Sequence, residues 1–365
     1  MPEIPNTMHA VHLLGHGGFD KLDYRTDVAV PEPGPNEVLI AVGAAGVNNT
    51  DINTRIGWYS KNVTTATNAG ATDGYDEEAV DDDGSWSGEE LAFPIIQGAD
   101  VAGTIVAVGS SVNDSRVGER VLVRTMQTAG AKTPTDCITL GSEVNGGFAQ
   151  FCVIDDTEAF PISTELTDVE LASFPCAYST AETMLHKVEL SEGERVLITG
   201  ASGGVGSAAI QLAKRRGASI VAVASRAKWP DLEGLGADQL VDRDTDLLAE
   251  FGEESFDVVI DVVAGPSWPS LLEVLRKQGR YMTAGAIAGP IVPLDVRTLY
   301  LKDLALLGST HQPIVDFENL IRYIEDGEIV PIVSKTYPLD KIVDAQQDFL
   351  DKRFVGKLVL VPPGL

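Results

Sequence analysis

Residues 195–217 read RVLITGASGGVGSAAIQLAKRRG, an apolar run that meets a glycine cluster and then an amphipathic segment carrying Ile210 and Leu212. This stretch constrains the fold most. A strand must become a helix over a few residues, and a second apolar run, SIVAVAS, follows to complete a strand–helix–strand unit. Gly203 lets the backbone approach a pyrophosphate, Gly206 lets the helix pack on the strand, and the helix N-terminus favours negative charge. Ala201 stands where the strict GxGxxG pattern would begin, so Ala201, Ser202, Gly203, Gly204, Val205 and Gly206 form the candidate phosphate turn. The second strand ends in VAVASRAKWPD, with no carboxylate before Asp231 to accept from a ribose 2′-hydroxyl. Ser225, Arg226 and Lys228 stand there instead and suit a 2′-phosphate, which predicts NADPH as the cofactor.

The 365-residue chain exceeds what one core usually serves, and its texture changes along its length. Up to about residue 162 it shows short β-rich segments and Gly/Pro turns (EVLIAVGAAGV, GTIVAVG, ERVLVR, GGFAQFCVI), as in a twisted antiparallel barrel or sandwich. From about residue 168 strands alternate with helices, which predicts a parallel doubly wound sheet. The end, from YPLDKIVDA to FVGKLVLVPP, returns to a short helix and an apolar strand that rejoins the first part. The expected division is residues 1–164 completed by 312–365, with 165–311 between them.

Asp plus Glu number 54 against 27 Lys plus Arg, and the resulting charge of −27 argues against nucleic acid as a partner. The charge is spread through the chain and reads as a solvated surface, like those of proteins from salt-loving organisms, where concentrated cations screen self-repulsion. No apolar run is long enough to span a membrane and no leader pattern opens the chain, so a cytoplasmic protein is expected. Cys137, Cys152 and Cys176 include no CxxC pair and read as reduced thiols.

The motifs AVGAAGVNNTDINTRIGWY, FPIIQGADVAGTIVAVG, VGERVLV, GGFAQF, LASFPCAYSTAETML, ITGASGGVGSAAIQLAK, GST and FVGKLVLV, in that order, resemble the medium-chain dehydrogenase/reductase superfamily and its zinc-free quinone oxidoreductase branch, that of zeta-crystallin. The resemblance implies a GroES-like β-rich catalytic domain joined to a Rossmann domain. It also implies a homodimer, or a tetramer. The alcohol dehydrogenase branch has GVCHTD where this chain has GVNNTD, and GHE where it has GAD, so Asn48 and Ala99 replace two zinc ligands. Only Cys176 matches the third, and one thiolate cannot hold a tetrahedral ion. No metal is expected. By resemblance to VNxxDxxxRxGxY, Asn48 lines the nicotinamide and substrate pocket, Tyr59 donates to the substrate oxygen or caps the site, and Thr180 lies near the nicotinamide.

Asp51 and Arg55 have the spacing of a helical pair and read as scaffolding. Cys176 reads as inert, Lys357 carries no assigned role, and the acidic segment 60–91 is an elaborated loop near the pocket. The implied activity is an NADPH-dependent, metal-independent reduction of a quinone or an α,β-unsaturated carbonyl. A zinc-type alcohol dehydrogenase and a non-catalytic NADPH-binding structural or redox-sensing protein are the alternatives.

Overall fold

The computed structural model describes residues 4–75, 80, 83–133 and 135–364; six residues of the 60–91 segment, 76–79 and 81–82, lie outside it. The N-terminal part carries β1 (Thr7–Leu13), β2 (Leu22–Ala29), β3 (Glu37–Val47), helix α1 (Asn49–Ile56), β4 (Ile95–Ile96), β5 (Ala102–Val108), β6 (Arg120–Val123), β7 (Met126–Gln127), β8 (Ile138–Thr139), β9 (Phe151–Asp155) and β10 (Ala159–Pro161). Two helices, α2 (Asp168–Leu171) and α3 (Pro175–Lys187), lead into β11 (Arg195–Ile198), α4 (Gly204–Arg215), β12 (Ser219–Val223), α5 (Trp229–Gly234), β13 (Gln239–Val241), α6 (Leu247–Phe251), β14 (Phe256–Asp261), α7 (Trp268–Glu273), β15 (Leu275–Thr283), α8 (Val296–Leu301) and β16 (Ala305–Gly308). The chain closes with α9 (Ile314–Glu325), β17 (Val333–Pro338), α10 (Ile342–Asp351) and β18 (Lys357–Val361).

The first part folds as a GroES-like unit, and β17 and β18 complete it. Its main sheet runs β10-β6-β5-β3-β18-β17 with β9 also on β3, and β18 pairs antiparallel to β3 through Leu358↔Val47 and Leu360↔Ala45. A small sheet β2-β1-β4 flanks it.

The second part is a six-stranded sheet in the order β13-β12-β11-β14-β15-β16, every pairing parallel. Its strands are apolar on both faces because helices cover both. Val196, Ile198, Ile220, Ala222, Val258 and Ile260 pack on the α3/α4 side, while Leu197, Val221 and Val259 pack opposite, with Trp268 and Leu271 of α7. The α3/α4 core also takes in Ala44, Ala102 and Leu122 of the first sheet and Phe317, Leu320 and Ile324 of α9. Residue 312 therefore marks a change of sheet but no break in the core, since α9 packs where α3 and α4 do.

Among the described residues no helix is long and apolar enough to cross a membrane.

Candidate active site

The glycine turn adopts the geometry its composition asks for. Gly203 is the N-cap of α4, in extended conformation at φ −77°, and a Cβ there would meet only the Gly200 carbonyl oxygen at 3.5 Å. A ligand can therefore approach that backbone closely. A Cβ at Gly206 would lie 2.4 Å from the Gly200 oxygen, so any larger residue would push α4 off the turn. Ala201, Ser202, Gly204 and Val205 lie in this turn and the first turn of α4, with the positive end of a 12-residue helix.

Ser225 precedes a 3-10 turn, Arg226–Lys228, at the carboxyl end of β12. The two cations of that turn diverge. Lys228 Nζ turns inward and donates to Ser202 Oγ at 3.2 Å, whereas Arg226 stays 78% exposed and lies 3.6 Å from Asp242. Two further cations join Lys228: Arg243 from the loop after β13, and Lys352 from the cap of α10. Burial, helped by Arg243, lowers the Lys228 pKa, and burial with the Lys228 charge nearby pushes Lys352 down to about 7. Among the described residues neither lysine has a carboxylate partner. Two neighbouring lysines without a carboxylate partner fit an anionic ligand. The glycine turn and the N-terminus of α4 suit the pyrophosphate of a nicotinamide dinucleotide.

The residues of GVNNTD reach the glycine turn through Lys357, whose side chain lies against Gly204. Asn48 leads into α1, and its backbone N–H donates to the Asp51 carboxylate at 2.7 Å, which fixes the start of the helix. The Asn48 side chain is largely committed. Its Oδ1 accepts from Lys357 Nζ at 2.5 Å, and its Nδ2 donates to Asp100 Oδ2 at 2.8 Å and to the Gly46 carbonyl at a weaker 3.4 Å. Lys357 also bonds Asp100 at 2.6 Å, and their side chains are 3% and 0% exposed. The other oxygen of Asp100 accepts the backbone N–H of Cys176 at 2.6 Å. A closed cluster thus joins β3, the β4–β5 loop, α3 and β18.

The expected Asp51–Arg55 pair does not form. Asp51 turns to the backbone N–H groups of Asn48 and Gly98, while Arg55 donates to Gln346 Oε1 and to the carbonyls of Gly17 and Ala71. Each is buried where local backbone and tertiary acceptors outcompete a neighbour four positions away.

Burial, opposed by those two N–H groups and by Lys357, raises Asp51 from its ordinary 3.8 to about 7. The folded chain therefore holds a proton that the unfolded chain releases near pH 4, and this contribution to stability is lost as pH rises through 7. Asp51→Asn is expected to flatten the dependence of the urea midpoint on pH between about 4 and 8 relative to the parent chain. An unchanged slope would show that Asp51 ionises normally.

Tyr59 sits just beyond α1, with its hydroxyl donating to Thr50 Oγ1 at 3.1 Å. Burial, with Cys176 and Asp51 nearby, holds its phenol well above the usual range, so it stays a donor at any physiological pH. Trp86, from the 60–91 segment, packs edge-on against the Tyr59 ring with centroids 4.7 Å apart. Thr67 N donates to the Ile287 carbonyl at 3.2 Å, so the same segment reaches across to the loop after β15. Thr180, one turn beyond Cys176 on α3, donates to the Cys176 carbonyl at 2.7 Å and accepts from Gln312 Nε2 at 3.2 Å.

These residues do not fit a zinc ion. Ala99 offers no donor atom, Asp100 and Asn48 are bound to an ammonium group, and burial with the Asp100 charge raises the Cys176 thiol far above its ordinary pKa. Among the described residues no three His, Cys, Asp or Glu side chains come together as a ligand set.

Residues 34–164 match the family described as alcohol dehydrogenase GroES-like domain, and residues 204–326 match zinc-binding dehydrogenase. The chain is 44% identical to a Sinorhizobium meliloti 1021 protein assigned to the alcohol dehydrogenases, and the two structures superpose with a TM-score of 0.87 over 99% of this chain and 98% of the other. The chain belongs to the medium-chain dehydrogenase/reductase superfamily. Within it, quinone oxidoreductase of Rattus norvegicus is 27% identical over 97% of this chain and 98% of its own. A 2-octenoyl-CoA carboxylase reductase, solved with NADP and 2-octenoyl-CoA, is 26% identical with a TM-score of 0.81, over 99% of this chain and 88% of the other. This oxidoreductase therefore has relatives that differ widely in acceptor, on a shared scaffold.

Sequence reasoning did not find Asp100, Arg243, Lys352 or Gln312 and assigned Lys357 no role. The GAD motif pointed to Asp100. The FVGKLVLV motif held Lys357, whereas Arg243, Lys352 and Gln312 bore no local signal.

Proposed function

We propose that this oxidoreductase uses NADPH to reduce a quinone or an α,β-unsaturated carbonyl, without a metal. The observation that carries the reading is the buried Lys357–Asp100–Asn48 cluster beside Tyr59, where the superfamily's zinc enzymes keep metal ligands. When bound, the cofactor supplies a hydride to the acceptor carbon. Negative charge then develops on the acceptor's carbonyl oxygen, and solvent delivers the balancing proton. Tyr59 turns its hydroxyl from Thr50 to that oxygen, and the Lys357 ammonium, which keeps one N–H beyond its two bonds, adds positive potential. Asn48 holds Lys357 in place, and its weak bond to Gly46 is the one an oxyanion would displace. Cofactor contacts fall to Thr180, residues 201–206, Ser225, Lys228 and the outlying Arg226.

The domain division is residues 1–164 with 312–365, and 165–311. A homodimer is supported by the free edge of β16 and by exposed Ile291, Val296, Tyr300 and Leu301 just before it, which light scattering would check. Three unpaired cysteines suit the cytoplasm.

The deciding experiment is NADPH oxidation by the purified protein in concentrated salt, with quinones, enones and simple aldehydes, before and after exhaustive chelation. Turnover of conjugated acceptors that survives chelation supports the reading. Chelator-sensitive alcohol oxidation would instead establish the zinc-type reading, and tight binding without turnover the sensor. In the same preparation Lys228→Ala and Lys352→Ala are each expected to weaken NADPH binding about tenfold or more and leave NADH nearly unchanged. Equal effects on both nucleotides would remove the 2′-phosphate from this cluster.

A further inference from the structure

Gln312 lies four residues beyond the end of β16 and is 5% exposed, yet among the described residues nothing donates to its Oε1. The orientation of its amide is fixed from both sides. Thr180 spends its only hydroxyl proton on the Cys176 carbonyl, so it can only accept, and the Gln312 group facing it at 3.2 Å must be Nε2. The backbone is held as firmly: Arg124 Nη1 donates to the Gln312 carbonyl at 3.0 Å, and Arg124 is itself clamped by Glu158 at 2.6 and 2.9 Å, both side chains fully buried. An acceptor buried this deeply and left open costs free energy until a donor arrives.

The topology says which ligand brings one. The strand order reverses at β11/β14, where a dinucleotide lies across the carboxyl ends of the strands. Its phosphate-bearing half belongs on the β12–β13 side, with Lys228 and Arg243. Its reacting half falls on the β14–β16 side, where Gln312 stands. Phosphates, quinones and enones offer only acceptor oxygens to a bare carbonyl oxygen and would be repelled by it. The donors at that end are the carboxamide and the ribose hydroxyls. Thr180 ties Gln312 to α3 one turn from Cys176, whose N–H binds Asp100, so this position belongs with the ring and not with the sugar.

We infer that Gln312 Oε1 accepts a hydrogen bond from the carboxamide NH₂ of the nicotinamide, with Thr180 fixing the amide and Arg124 the backbone. The inference rests on the cofactor reading above, and its test needs no turnover. Calorimetric titration of the intact protein with NADP⁺ and with its 3-acetylpyridine analogue, in which a methyl group replaces the NH₂, reads the contact directly.

The parent chain is expected to prefer NADP⁺ by about tenfold, and Gln312→Leu to lose that preference by weakening NADP⁺ binding alone. Gln312→Met, closer in shape, is expected to behave alike. Equal affinities in the parent chain would overturn the inference whatever the variants do. So would a preference that survives in a folded variant, or an equal loss for both nucleotides, which is the pattern of a ribose contact. Binding of neither nucleotide would overturn the cofactor reading and the inference with it.

Discussion

Lys357→Met is expected to lower the unfolding free energy by about 3–5 kcal/mol, measured by urea denaturation in concentrated salt. The ammonium is 3% exposed and lies 2.6 Å from a carboxylate that is 0% exposed, and methionine fills the same volume without the charge. Asp100 would keep the Cys176 N–H and the Asn48 amide but lose the one cation bonded to it among the described residues, and a buried charge without its counter-ion is costly. The asymmetry provides the control. Adding Asp100→Asn to Lys357→Met removes the stranded charge and is expected to restore most of the stability. A single variant as stable as the parent would mean that Asp100 and Lys357 are not paired in solution. If the double variant folds well but turns over slowly, the ammonium's contribution to catalysis is separated from its structural one.

Tyr59→Phe is expected to lower kcat about 10²-fold while leaving the affinity for NADPH and the folded spectrum unchanged. The hydroxyl's partners, Thr50 at 3.1 Å and the Asn53 side chain, are both neutral, so exchanging them for an oxyanion is favourable. The ring's packing against Trp86 does not involve the hydroxyl and survives the substitution. A fall in kcat with little change in acceptor KM would place the contact in the transition state. A rise in KM alone would assign Tyr59 to acceptor binding, and an unaltered enzyme would leave Lys357 as the main source of stabilisation.

Legibility in the sequence followed the range of the interactions. The strand–turn–helix at 195–217 announced itself because glycine content, apolar runs and helix pattern are all local, and the structure places Gly203 and Gly206 where backbone approach and helix packing require them. The parallel sheet was readable for the same reason: strands covered on both faces must be apolar throughout. The spacing of Asp51 and Arg55 misled because a four-residue interval specifies proximity on a helix, whereas both side chains are buried among stronger tertiary partners. Arg226 and Lys228 looked equivalent along the chain, yet a single 3-10 turn sends one to Asp242 and the other to Ser202.

What the sequence determined by itself was the superfamily, the two-part architecture, the glycine turn between strand and helix and the absence of two of the metal-ligand residue types, all encoded in short contiguous patterns. What only the tertiary structure decided was which distant groups meet: Lys357 with Asn48 across 309 positions, Arg124 with Gln312 across 188, and Lys352 beside Lys228. Those contacts depend on β18 pairing with β3 and on the return of the chain past β16, and neither leaves a mark on the residues it brings together. Electrostatics in a buried site depends on distances of a few ångströms between such groups, so the chemistry is set by the packing.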